Sequence, residues 1–285
     1  MDKGRSQIST VWRRLRKNKL AVVGLFILTI MLLVALFAGI LTDYETEVIK
    51  MDMPNRMAPP SASHILGTDS YGRDIFARII YGSRYSLSIG FLSVLFALAM
   101  GGALGSIAGY FGGKVDNIIM RIMDVFLAVP SIIMAIAIVS TLGTGFRNLI
   151  IAMAVSTVPT FARLLRSTIL SIKDSDYVEA ARAVGTSTPR IIIRHILPNS
   201  VGPVIVQTTF SVASSILSAA GLSFLGIGVK PPAPEWGAML SEGKEFIRDI
   251  PHLVVFPGLA IALTVLALNL LGDGLRDALD PRLKQ

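Results

Sequence analysis

Cysteine is absent from the chain, and histidine occurs only at positions 64, 195 and 252. The first absence excludes disulfides and thiolate metal sites, and the second leaves no histidine pair at metal-ligand spacing. A phosphate-binding loop is missing too. Gly112-Gly113-Lys114-Val115 and Gly243-Lys244-Glu245 lack both the upstream glycine spacing and the Ser or Thr after the lysine that such a cradle needs. No recognisable nucleophile motif surrounds the serines, aspartates and histidines, so the chain is expected not to be an enzyme and not to hydrolyse ATP. Charge is also scarce: charged residues make up 16% of the chain against 52% hydrophobic, with a positive mean hydropathy, which is unusual for a soluble domain of this length.

What is present is long apolar sequence. Uncharged windows run from Leu20 to Thr42, Tyr85 to Gly113, Val125 to Phe146, Asn148 to Ala162, Ile196 to Val229 and Leu253 to Gly272. A spanning helix needs about 20 apolar residues, so five windows cross a bilayer unaided. The fourth is short and spans only if Arg163 and Arg166 sit at headgroup level, where long basic side chains snorkel. Pro130 and Pro159 fall inside the third and fourth windows and predict kinks. The pattern predicts an all-α membrane protein with six transmembrane helices, one membrane domain and no obvious internal repeat.

Six spans put both termini on one side. With the N-terminus inside, eighteen of the 27 Lys and Arg fall on the inner segments, which predicts cytoplasmic termini. The basic stretch Arg13, Arg14, Arg16, Lys17, Lys19 then reads as a juxtamembrane inside marker rather than a nucleic-acid site. The run after it exceeds a signal-peptide core of about 7 to 15 residues, so it is expected to remain as a membrane anchor. The chain accordingly divides into a cytoplasmic segment 1–19, a first transmembrane helix 20–42, an extracytoplasmic segment 43–84, a five-helix core 85–276 containing a polar cytoplasmic loop 173–199, and a cytoplasmic tail 277–285.

Several residues carry expectations of their own. Within the polar loop, Ser175 or Asp176 can cap a short helix, Glu179 lies in its first turns, and Ala180, Ala181, Ala183 and Val184 present a small, smooth surface before Gly185 ends the run. An isolated helix of about 12 residues is marginal in water, so this one is expected to pack against something. It reads either as a docking element or as an ordinary surface helix. Gly101, Gly105, Gly109 and Gly113 recur every four residues and open one helical face to close approach, by a neighbour in the bundle, a like chain or a sister chain. Ile75 to Tyr81 can form a short interfacial helix entering the second span. Arg121 and Asp124 are three apart and are expected to pair on one face. Trp236 reads as an interfacial anchor and His195 as an interfacial residue beside the loop.

Glu179-Ala180-Ala181, three residues, Gly185, then Leu197-Pro198 resembles the EAA loop of the permease subunits of bacterial ATP-binding-cassette importers. Leu66-Gly67-Thr68-Asp69, Gly72-Arg73-Asp74, Ala108 to Gly113, Leu222-Ser223-Phe224-Leu225-Gly226, Trp236 to Leu240 and Asn269 to Asp277 resemble the dipeptide, oligopeptide and nickel branch, C-type chain. Two positions depart from the broader pattern: His195 replaces an aliphatic residue, though this branch often has histidine there, and Ala219 stands where a glutamate is usual. The resemblance implies a type I ABC importer permease fold with a cytoplasmic coupling helix, in the bacterial inner membrane. It implies half of a translocation pathway for peptides, or alternatively nickel or another small solute. Implied partners are a sister permease, two cytosolic ATPases that carry ATP and Mg, an extracytoplasmic solute-binding protein and membrane lipid. It places ATPase coupling on Glu179, Ala180, Ala181, Val184 and Gly185, and names no substrate-binding or metal-binding residue. An ion-coupled secondary transporter would instead require paired intramembrane acids or broken helices in symmetric halves, which the sequence does not display.

Overall fold

A computed structural model describes Ser9 and residues 11–279; the first eight residues, residue 10 and the end of the tail from residue 280 lie outside it. The apolar runs and the polar segments between them form the helices α1 Lys19–Leu41, α2 Ile75–Phe111, α3 Gly113–Ala128, α4 Ser131–Leu142, α5 Phe146–Ile172, α6 Asp176–Ala183, α7 Thr188–Phe224, α8 Trp236–Gly243 and α9 His252–Leu279. Of these, α1, α2, α5, α7 and α9 are long and apolar enough to cross a membrane. The pair α3 and α4 qualifies only as one span bent by 89°.

Local chemistry sets the ends. The Asn18 side chain accepts from the Ala21 amide at 3.1 Å and starts α1. Asp74 caps α2 in the same way through Ala77 at 2.9 Å, and Gly112, at φ +65°, stops it. At 37 residues α2 is about 55 Å long, well beyond a hydrocarbon core of about 30 Å, so its first turns project from the membrane. The Ile75–Tyr81 stretch is therefore the projecting start of this one long helix and not a separate interfacial helix.

The bundle is built on the pairing of α2 with α5. Gly101, Gly105 and Gly109 lie against Val158, Ala162 and Arg166, matching four-residue steps on the two helices. Around this seam Leu87, Val94 and Ala97 of α2, Phe161 of α5, Val212 and Ile216 of α7 and Leu268 of α9 form the main buried cluster. Gly113 is the exception to the stripe: it begins α3 at φ +53° with open space where a Cβ would stand, because the chain has already turned at Gly112. α1 packs its Gly24 against Ala267 and Leu271 of α9 and leaves Phe26, Leu36 and Ile40 exposed, the pattern of a lipid-facing helix.

Three expectations are corrected. The third window does not form one kinked helix: Pro130, which lacks an amide donor, sits at the break, and α3 and α4 run nearly at right angles. Asp124 pairs with Arg163 of α5 at 2.6 Å rather than with Arg121 on its own helix. Trp236 is buried, at 1% exposure, its indole nitrogen donating to the Ile79 carbonyl at 3.0 Å, so it locks α8 to α2 and does not anchor at an interface.

Candidate functional site

The polar loop folds as a short capped helix. Ser175 adopts extended backbone angles and its carbonyl accepts from the Val178 and Glu179 amides, starting α6. At the other end Gly185, at φ +79°, donates to the Arg182 carbonyl at 2.9 Å while Thr186 donates to Ala181 at 3.1 Å. That doubled closure is a Schellman arrangement, and its left-handed residue is one only glycine adopts without strain. Val178 and Ala181 are buried among Ile169 of α5 and Ile191 and Ile196 of α7. The Arg182 guanidinium lies 5.5 Å from the Tyr110 ring at the end of α2.

This packing divides the residues singled out by sequence. Glu179, Ala180, Val184 and Gly185 are exposed, Val184 at 80%, whereas Ala181 faces the bundle. Ala181 therefore fixes the helix to the bundle instead of extending the outward surface, because a residue one step after Ala180 falls about 100° around the helix. His195 is half-buried within a π-helical stretch, Ile192–Ile196, that joins this platform to the rest of α7.

A second feature escaped the sequence reading. Ser131 of α4, Ser156, Thr157 and Thr160 of α5, and Gln207, Ser211, Ser214, Ser215 and Ser218 of α7 line a cavity of about 260 Å³. Its lining contains hydroxyls, an amide and apolar groups, and no acid or base. Positions 211, 214, 215 and 218 share one helical face, and this serine stripe in an apolar helix was the available signal. Ser156 and Thr157 donate to the carbonyls four residues back, which satisfies their hydroxyl protons inside the helix.

At the far end of α2 the two polar connections are stitched together. Arg73 and Arg78, 2% and 0% exposed, meet Asp69 and Glu242. Arg73 reaches Asp69 and Glu242 at 2.6 Å each, and Arg78 reaches Glu242 at 3.1 Å and Asp69 at 3.4 Å. Glu235 caps α8 by accepting from the Gly237 and Ala238 amides at 3.0 and 2.9 Å, and from the Ser86 hydroxyl at 3.2 Å. Burial pushes its carboxyl above the ordinary range, although the two amides pull it down. A raised folded-state pKa means stability that is complete below the unfolded value and declines as pH rises through the folded one. Thermal unfolding of the purified protein is expected to show that decline from mildly acidic pH upward, and Glu235→Gln is expected to flatten it. An unchanged pH slope in the variant would count against this residue as its source.

The family described as "Binding-protein-dependent transport system inner membrane component" matches residues 101–285, and "N-terminal TM domain of oligopeptide transport permease C" matches residues 6–60. The chain belongs to that transport family. It is a permease of the oligopeptide C type from a binding-protein-dependent ABC importer: a multi-pass inner membrane component without catalytic activity of its own. The permease is 50% identical over 273 residues to the dipeptide transport system permease protein DppC of Alkalihalophilus pseudofirmus, covering 96% of this chain and 89% of that one. It is 48% identical to the glutathione transport system permease protein GsiD of Pectobacterium atrosepticum, covering 96% and 90%. Among solved structures, an inward-facing form of the MetNI methionine ABC transporter matches with a TM-score of 0.59 at 18% identity, over 71% of this chain and 96% of that one. That likeness concerns the fold alone. Membership implies ATPase, sister permease and binding-protein partners in general, and places the permease in the dipeptide and glutathione branch.

Proposed function

We propose that this permease pairs with a sister permease to form one wall of an import path for dipeptides and other short peptides, with cytoplasmic termini and α6 docked on an ATPase. The carrying observation is the charge-free, hydroxyl-lined cavity of α4, α5 and α7, whose rim residues Ser131, Ile132 and Ser214 are exposed. Hydroxyls and an amide supply donors and acceptors for peptide groups without the strong fixed charge that would trap a substrate. The dipeptide and glutathione relatives support a peptide substrate, both being short peptides. Uptake of labelled Ala-Ala and of glutathione by a strain lacking this gene and by the complemented strain tests the reading. Complementation restores Ala-Ala uptake if the reading holds; uptake of glutathione alone would shift the assignment to that substrate, and restoration of neither would remove it.

The coupling role rests on the outward surface of α6. Glu179 is exposed there and makes no side-chain hydrogen bond among the described residues, which leaves its carboxylate free for a charge-assisted bond across the ATPase cleft. Ala180 and Val184 leave room for close docking. Gly185→Val puts a β-branched residue at φ +79°, a strain of about 1 to 3 kcal/mol confined to the end of the docking helix, since nothing lies within 4 Å of the added Cβ. The expected result is normal insertion with transport lost and ATP hydrolysis no longer stimulated by loaded binding protein. Wild-type stimulation and transport in this variant would rule out the coupling role of the turn.

A further inference from the structure

A second polar cavity, of about 590 Å³, lies on the coupling-helix side of the serine-lined one, and the two share Thr160 and Gln207 as lining. Where the first cavity has no charged group, the second has two acid–base pairs, both joining α3 to α5. They differ in kind. Arg166 grips Asp116 with two parallel bonds, Nε to Oδ1 at 2.5 Å and Nη2 to Oδ2 at 2.6 Å, and Asp116 is buried. Arg163 and Asp124 make a single bond at 2.6 Å with side chains 55% and 52% exposed.

The two-bond pair already straps α3 to α5, and planar two-point pairing is the strong form of this interaction. An exposed single-bond pair contributes little to stability, so Arg163 and Asp124 exchange partners at little cost to the fold. Charged side chains facing a cavity within a membrane chain mark the path of a solute. A passage site must also hold its solute weakly enough to let it go. We propose that Arg163 and Asp124 form an exit docking site for a zwitterionic peptide, the guanidinium taking its carboxylate and the aspartate its ammonium group while their mutual bond opens. The proposal rests on the peptide-permease reading above, and it extends that reading by giving the substrate class its charged ends.

Because the chain has no cysteine, Thr160→Cys introduces a single thiol at the junction of the two cavities. The assembled transporter in membrane vesicles is treated with a cationic and an anionic methanethiosulfonate reagent, and labelling is read on this chain alone. Arg163→Gln is expected to lower the anionic-to-cationic rate ratio and Asp124→Asn to raise it, each by about two- to fivefold, the weight of an exposed charge pair of about 0.5 to 1 kcal/mol. Ala-Ala, or S-methylglutathione, is expected to slow labelling, its C-terminal amide to slow it less, and Arg163→Gln to erase that difference. The ratio shows that the two charges face the thiol, and the protection tests docking: a purely structural pair would shift the ratio in the same way but leave labelling equally fast with and without peptide. Labelling unaffected by either peptide while peptide uptake continues overturns the docking site. Absence of peptide uptake in the same vesicles removes the underlying reading, and the proposal with it.

Discussion

Gly105→Ala is expected to unseat α2 from α5, and Gly102→Ala, three residues away on the same helix, to leave the packing intact and the protein slightly more stable. The two substitutions add the same methyl group at interior positions of one helix, so intrinsic helix preference is the same for both. Only the surroundings differ. A Cβ at 105 overlaps the Ala162 carbonyl oxygen and its backbone neighbours, while one at 102 meets only Leu98 Cδ1, at 3.8 Å. A carbonyl on a helix has no rotamer to change, so relief requires the two helix axes to part along a seam that also includes Gly101 and Gly109. Overpacking of this sort costs about 3 kcal/mol. Thermal unfolding in detergent and the yield of assembled transporter measure the contrast. Equal stability of the two variants would mean that the glycine seam is not the close approach described here.

The second large effect is expected from Arg78→Met. Its guanidinium is fully buried between Asp69 and Glu242, and removing it leaves two carboxylates facing Arg73 alone. Breaking one partner out of a buried charge cluster costs about 3 to 5 kcal/mol, chiefly through the charge left behind. Adding Glu242→Gln returns the cluster to one acid and one base, Asp69 with Arg73 at 2.6 Å, and is expected to recover a large part of that loss. The double variant should therefore be more stable than Arg78→Met by itself. If instead the two changes add as independent losses, the four groups do not act as one network. Since Glu242 lies in α8 and the other three residues lie at or before the first turns of α2, the damage should appear first as loosening of α8.

The spans were legible because uncharged runs of membrane length have few alternatives. Their limits were less legible, for a reason visible in this cluster. Arg78 and Arg84 end the apolar window at Tyr85, yet α2 begins at Ile75, because Asp69 and Glu242 neutralise Arg78 from elsewhere in the chain. Likewise Lys114, Asp116, Arg121 and Asp124 hid α3, whose acids are answered by arginines of α5. A charge pair between distant residues leaves no mark on local sequence spacing, so Arg121 looked like the partner of Asp124. The Trp236 side chain follows the same logic: an amphipathic ring suits an interface, and only the Ile79 carbonyl makes it a core residue. Of the loop residues, Gly185 was readable as a helix stop, whereas the inward turn of Ala181 depended on where Ile169 and Ile196 would stand. The serine stripe of α7 was in plain view as a period.

The π-helical stretch at Ile192–Ile196 holds one more residue per turn than the helix it interrupts, and it lies between the platform under α6 and the serine stripe at 211 to 218. Such an extra residue is a defect that migrates: as it travels along a helix, each residue it passes advances by one register place, about 100° of rotation and 1.5 Å of rise. If a push on α6 drove the defect along α7 beyond Ser218, the places of Ser211, Ser214, Ser215 and Ser218 on the cavity wall would pass to Phe210, Ala213, Ser214 and Leu217, with the helix ends unmoved. With α6 coupled to an ATPase as proposed above, the stroke would arrive in the membrane as a screw motion, exchanging four hydroxyls on the wall for one without any tilting of the bundle.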